Sequence, residues 1–196
     1  MVISEFKTIG YFCFMWTLLI LGGFLLIILL IVWVVYNNLV AAREIVQEAL
    51  SGVDIQLKKR YELIPNLVNI VKTYSDYESS LFQKVTALRS AEESQDIVSA
   101  EKEDAGLNLI SRSIRVKVED YPELKADKQF LHLMEELSKV EDELAMSRRY
   151  LNGTIRDYNT KIDVFPNVML SGIMNFKEMP FYEIESFEKE PQKIFE

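Results

Sequence analysis

The chain has almost none of the residues that build covalently or metal-braced folds. Its one cysteine, Cys13, lies inside an apolar run, so no intramolecular disulfide can form. Its one histidine, His132, has no aqueous thiol to complete a zinc-ligand set. No metal and no other cofactor is expected. Glycine (7) and proline (5) are also scarce, while hydrophobic residues make up 49% and charged residues 27%. A sheet would need turn signals at spacings of about 8 to 12 residues, so long periodic segments with few breakers favour an all-α helical bundle.

Catalytic patterns are missing as well. Nucleophilic catalysis needs a base held beside the nucleophile, yet there is no G-x-S-x-G turn and the sole histidine falls in the middle of a helical pattern. Neither G-x-G-x-x-G nor the P-loop occurs. The pairs Glu92-Glu93 and Glu135-Glu136 are sequence neighbours and point to different sides of a helix. No enzymatic activity and no small-molecule substrate is expected. The net charge is -8, and residues 1–36 contribute only Glu5 and Lys7, so the acidity lies on the remainder. That disfavours nucleic acid, which needs a basic face to displace counterions.

The longest absence is of charge between Tyr11 and Tyr36. A helix over this run, at about 1.5 Å per residue, exceeds the roughly 30 Å hydrocarbon core and spans it with some tilt. Trp16 near one end, and Trp33 and Tyr36 at the other, suit the headgroup level. A cleavable signal with Val40-Ala41-Ala42 as its site is the competing reading. A signal's apolar region is only about 7 to 15 residues, and here the helical pattern continues through the candidate site. A transmembrane helix in the lipid bilayer of the cell (inner) membrane is therefore expected, crossing once. Lys7 and Arg43 nearly balance across it, and Lys58, Lys59 and Arg60 tip the remainder toward the cytoplasm.

Beyond the span, Leu39, Ala42, Val46, Ala49, Val53 and Leu57 recur at spacings of three and four, the stripe of a helix running from membrane into water. Gly52 weakens that helix without breaking the pattern. The stripe resumes with Ile64, Leu67, Val71, Tyr74, Leu81, Val85 and Leu88, and Pro65 predicts a kink or a break. Asn66 and Asn69 either satisfy backbone groups that the proline frees or face solvent. Ala91 to Asp104 is polar and acidic and reads as a loop or frayed end. Periodicity returns through Leu107, Ile110 and Ile114, and Asp120-Tyr121-Pro122 stops it.

A last long helix starts near Asp127, a capping carboxylate. Phe130, Met134, Leu137, Val140, Leu144, Leu151, Ile155, Tyr158 and Ile162 line its inner side, and it ends before Phe165-Pro166. Glu135, Glu136, Lys139, Glu141, Asp142, Glu143, Arg148, Arg149 and Arg156 read as a solvated face. After Pro166 the chain is apolar but aperiodic, too greasy for a free tail. Met169, Leu170, Ile173, Phe176, Phe181 and Tyr182 are its candidate interaction residues, through which it contacts membrane, a partner or its own bundle. Lys58, Lys59 and Arg60 form the one basic cluster. A continuous helix carries it roughly 30 Å from the membrane, well beyond a Debye length of about 8 Å. Pairing with acidic residues of a neighbouring helix is favoured over lipid binding.

Tyr36-Asn37-Asn38-Leu39-Val40 and the block from Val53 to Val68, with Tyr61-Glu62-Leu63-Ile64-Pro65-Asn66-Leu67 at its centre, resemble the LemA family of bacterial membrane proteins. The resemblance recurs at Val71-Lys72-Thr73-Tyr74 with Glu78, Ala87-Leu88-Arg89-Ser90, Tyr121-Pro122-Glu123-Leu124-Lys125-Ala126, Arg148-Arg149-Tyr150, Tyr158-Asn159 and Phe165-Pro166. Leu151 stands where the family often has tyrosine, Gly153 sits at a usually helix-friendly position, and Asn175 replaces a common glycine before Phe176. The resemblance implies a single-pass anchor followed by an elongated antiparallel helical bundle, in a family without an established enzymatic activity. Some relatives, including a magnetosome membrane protein, are implicated in membrane organisation.

The expected organisation is a tail over 1–10, a transmembrane helix over 11–36, the bundle over 37–166 and an apolar segment with an acidic tail over 167–196. Two functional classes fit it. One is a membrane-anchored scaffold or interaction protein that forms homo-oligomers or engages other membrane proteins. The other is a non-catalytic accessory subunit of a membrane enzyme or protease system.

Overall fold

The uncharged run is part of one helix. A computed structural model describes residues 2–74 and 96–183, with side chains from Met15 onward except that of Lys117, and α1 extends over Val2–Tyr74. At about 1.5 Å per residue it is roughly 110 Å long. Residues 2–10, read as a short tail, are helical and continue into the run. Pro65 does not break the helix either. Ile64, Leu67 and Val68 around it are buried, so packing outweighs the lost amide bond. The exposed Asn66 donates from Nδ2 to the Glu62 carbonyl at 3.2 Å.

Among the described residues four further helices follow: α2 (Ile97–Asp120), α3 (Pro122–Ala126), α4 (Lys128–Asp163) and α5 (Asn167–Ser171). No strand occurs among the described residues. Asp96 caps α2, its carboxylate accepting from the Ser99 amide at 2.7 Å, so Glu101 to Asp104 are helical and not a loop. Helix α2 stops at Asp120, and Pro122 opens α3 in the first-turn position that suits its missing donor. Asp127 caps α4, accepting from the amides of Gln129 at 2.8 Å and Phe130 at 3.0 Å. The expected stripe positions Leu81, Val85 and Leu88, and the acidic stretch from Glu92 to Gln95, lie outside the described residues, as does the tail after Glu183.

Three cross-links fix the register of α1 and α4: Tyr74 Oη donates to Asp127 Oδ2 at 2.8 Å, Arg60 meets Glu141 at 3.3 Å and Lys59 meets Glu143 at 3.0 Å. The pairs rise on one helix as they fall on the other, so the two are antiparallel. Arg115–Glu141 and Arg148–Asp104 contacts set α2 antiparallel to α4 as well. The core is the apolar stripes facing inward: Leu39, Val46, Val53, Leu57, Ile64 and Leu67 of α1 against Leu137, Leu144, Leu151 and Ile155 of α4 and Leu107, Ile110 and Ile114 of α2.

Gly52 and Gly153 lie inside α1 and α4, and a Cβ at either would meet nothing within 4 Å. Gly52→Ala and Gly153→Ala are each expected to stabilise the bundle by about 0.5–1 kcal/mol, since only the unfolded chain loses freedom. Urea unfolding of the full chain in mild detergent measures this.

Candidate functional site

Each inward stripe is interrupted by a charged residue at an in-phase position. Arg60 falls between Leu57 and Ile64 on α1, Asp104 between Ala100 and Leu107 on α2, and Arg148 between Leu144 and Leu151 on α4. Helical spacing therefore drives all three into the core, and they lie at the same height. Arg60 is 0% exposed, and its Nη1 donates to Asp104 Oδ1 at 2.9 Å. Its Nη2 donates to Asn108 Oδ1 at 2.9 Å and to Ser111 Oγ and Glu141 Oε1 at 3.3 Å each. The other oxygen of Asp104 pairs with Arg148 and accepts from Tyr182 Oη at 2.8 Å. The Arg148 guanidinium also lies over the Tyr182 ring, 5.8 Å from its centroid.

This network joins α1, α2, α4 and the C-terminal segment through one carboxylate. Burial pulls the Arg60 guanidinium below its ordinary value, opposed by the carboxylates of Asp104 and Glu141. Nε of Arg60 and Nε of Arg148 are buried without a hydrogen bond. An incompletely satisfied ionic core adds less stability than an apolar one would, while fixing which helices meet and in what register. Among the described residues no group of three His, Cys, Asp or Glu is placed to hold a metal. His132 lines a shallow open depression with Asn66, Asn69, Ile70, Gln129 and Leu133.

The C-terminal segment is fastened by two amides. Asn152 donates from Nδ2 to the Tyr182 carbonyl at 3.0 Å and accepts the Tyr182 amide at 2.7 Å. Asn159 does the same for Met179, with both bonds at 2.9 Å. Seven helical residues rise about 10.5 Å and three extended residues cover about 10 Å, so the two spacings match. The segment runs antiparallel to α4, and Tyr182 is thereby buried.

The basic cluster is divided by the fold. Lys58 and Lys59 are exposed, with Lys59 paired to Glu143, whereas Arg60 is wholly internal. Arg148, expected on the solvated face, is buried beneath Tyr182, and Asp104, expected in a loop or frayed helix end, is the centre of the network. Of the apolar candidates, Tyr182 is buried, Leu170 and Phe176 pack against the core, and Met169, Ile173 and Phe181 face outward. Asn175 has φ 59, the left-handed region where glycine is easiest and asparagine is tolerated, which accounts for the residue standing in for the glycine of the resemblance.

Burial raises the Tyr182 phenol, and the Asp104 carboxylate raises it further; burial pushes Tyr61 up to about 12. Unfolded phenols ionise near pH 10. These groups therefore contribute stability that is full below about pH 10 and is lost as pH rises through their folded values. Tyr182→Phe is expected to flatten the alkaline decline of unfolding free energy by about 1.4 kcal/mol per pH unit, one proton's worth. Urea titrations between pH 9 and 12 give the two slopes.

The sequence profile of the LemA family matches residues 49–195. Protein LemA of Metamycoplasma hominis is 27% identical over 131 residues, which cover 66% of this chain and 60% of that protein. Magnetosome protein MamQ 2 of Paramagnetospirillum magneticum is 25% identical over 176 residues, 76% of this chain and 64% of that protein. Magnetosome protein MamQ of Magnetospirillum gryphiswaldense is 25% identical over 175 residues, 75% and 64% of the two chains. The chain spans less than two thirds of the length of each of these relatives. Because the family profile extends from the middle of α1 through every later helix, the chain belongs to the LemA family.

Proposed function

We propose that this protein is a single-pass, membrane-anchored scaffold whose helical bundle organises the membrane through contacts with further copies and with other membrane proteins, without catalysis. The observation that carries this reading is the continuity of α1. The helix that presents Trp16 to Val34 with almost every side chain exposed is the same helix whose lower half is the central strut of the bundle. An anchor so coupled holds the bundle upright and concentrates it in two dimensions, where weak lateral contacts act together. The outer faces supply such contacts: α2 exposes Leu109 and Val116, α4 exposes Met146 and Tyr150, and charges of both signs surround them. Relatives named as magnetosome proteins fit a membrane-organising role. On this reading the bundle lies in the cytoplasm, on the side of Arg43, Lys58 and Lys59.

Native mass spectrometry of the full chain from mild detergent tests the proposal. Homomeric assemblies are the expected result. A stoichiometric enzyme partner would make the protein an accessory subunit instead, and a monomer alone would contradict the scaffold.

A further inference from the structure

From Val164 to Phe176 the chain carries no charged residue, with Asp163 and Lys177 as its flanks. Within it, Phe165 is 78% exposed, Met169 66% and Ile173 83%. These three recur at intervals of four and project away from the bundle, while Leu170 packs on the core and Ser171 is buried. An apolar surface of this kind on a soluble end of a bundle would be costly in water.

Its height along α1 identifies what covers it. Continuing the α1–α4 register residue by residue from Arg60–Glu141 brings Asp163 level with Asn38, at the end of the uncharged run. The segment beyond Asp163 therefore lies beside the run itself. Two direct observations agree. The Phe176 ring meets the Tyr36 ring edge-on, 6.0 Å between centroids, and Val35 is only 5% exposed although the residues above it in the run are open. The turn at Asn175 is what returns Phe176 to α1, its amide closing onto the Ser171 carbonyl at 2.9 Å. The exposed apolar side chains of the segment thus lie at the level of the exposed Trp33 and Val34 of the run.

We propose that Phe165, Met169 and Ile173 form a second lipid contact, a foot that lies in the boundary between headgroups and acyl chains and seats the bundle on the membrane. The inference rests on the membrane-spanning reading of α1. An uncharged stretch this short cannot cross a bilayer, but it suits an interfacial position. With α1 alone the bundle would swivel about a single helix; the foot adds a second point of attachment.

The test uses the full chain carrying Cys13→Ser in phosphatidylcholine–phosphatidylglycerol vesicles, spin-labelled at one introduced cysteine at a time. Met169→Cys and Ile173→Cys report on the foot, Leu26→Cys on the span and Leu131→Cys on the far end of α4. Collisions with oxygen, which partitions into lipid, are compared with those with a water-soluble nickel chelate. The foot labels are expected to show an oxygen-to-nickel ratio several-fold above that at position 131 and on the side of position 26. An aqueous ratio in the foot with a lipid ratio at 26 overturns the foot and leaves the span standing. An aqueous ratio at 26 as well overturns both. Foot labels shielded from both reagents and broadened by a neighbouring label overturn the proposal in favour of contact with a second copy.

Discussion

Asp104→Ala is expected to destabilise the bundle by about 3–5 kcal/mol, the range for breaking a buried ion pair from one side. The carboxylate accepts from Arg60, Arg148 and Tyr182, and removing it leaves two guanidiniums and a phenol inside with fewer partners. Glu141, Asn108 and Ser111 still serve Arg60, which keeps the loss within that range. Arg60→Lys should not be a mild change, because an ammonium cannot reproduce a planar fork that reaches four acceptors. Replacing Arg60, Asp104 and Arg148 together with Met, Leu and Met should recover most of the loss, since the charges are then removed in company. Urea unfolding of the full chain in mild detergent gives all three values. A loss under about 1 kcal/mol for Asp104→Ala would mean that the network does not hold the helices together.

Asn152→Ala combined with Asn159→Ala is expected to free the C-terminal segment while leaving the helices formed. The pair removes four partly buried hydrogen bonds, each contributing about 0.5–1.5 kcal/mol, so the segment's docking should weaken by roughly 2–6 kcal/mol. The bonds from Tyr182 Oη to Asp104 and to the Ala100 carbonyl remain, at 2.8 and 3.3 Å, but they no longer have a fixed backbone behind them. Hydrogen exchange at the amides of Met179 and Tyr182 should accelerate about a hundredfold, with α4 amides unchanged. Unchanged exchange at those two amides would show that side-chain packing alone holds the segment.

The stripes were legible because periodicity reports which face of a helix turns inward. Every α1 position read from Leu39 to Leu57 is buried, and so are Phe130, Leu137, Leu144, Leu151, Ile155, Tyr158 and Ile162 of α4. Asp127 was legible as a cap because capping is local chemistry. The ionic network was not, since a charged residue is read as surface unless its phase is weighed above its type. Arg60, Asp104 and Arg148 each keep the phase of their stripe, and three such interruptions on three helices were the available signal. Composition misled most at Asp104, where acidic neighbours suggested a loop or a frayed end and the cap at Asp96 starts a well-formed helix. Continuity through Pro65 depends on tertiary burial of its neighbours, which no local rule contains. The fastening of the C-terminal segment required a helical heptad on α4 to match an extended tripeptide, a relation between elements that is absent from either stretch alone.

The central claim is that the membrane segment and the bundle share one rigid helix. The direct measurement is a pulsed-EPR distance between spin labels at Val34→Cys and Thr73→Cys in the full chain with Cys13→Ser, held in lipid nanodiscs. An unbroken helix predicts a single narrow distribution near 60 Å, from about 1.5 Å per residue. A broad or markedly shorter distribution would mean that α1 bends or breaks between membrane and bundle, and it would contradict the account.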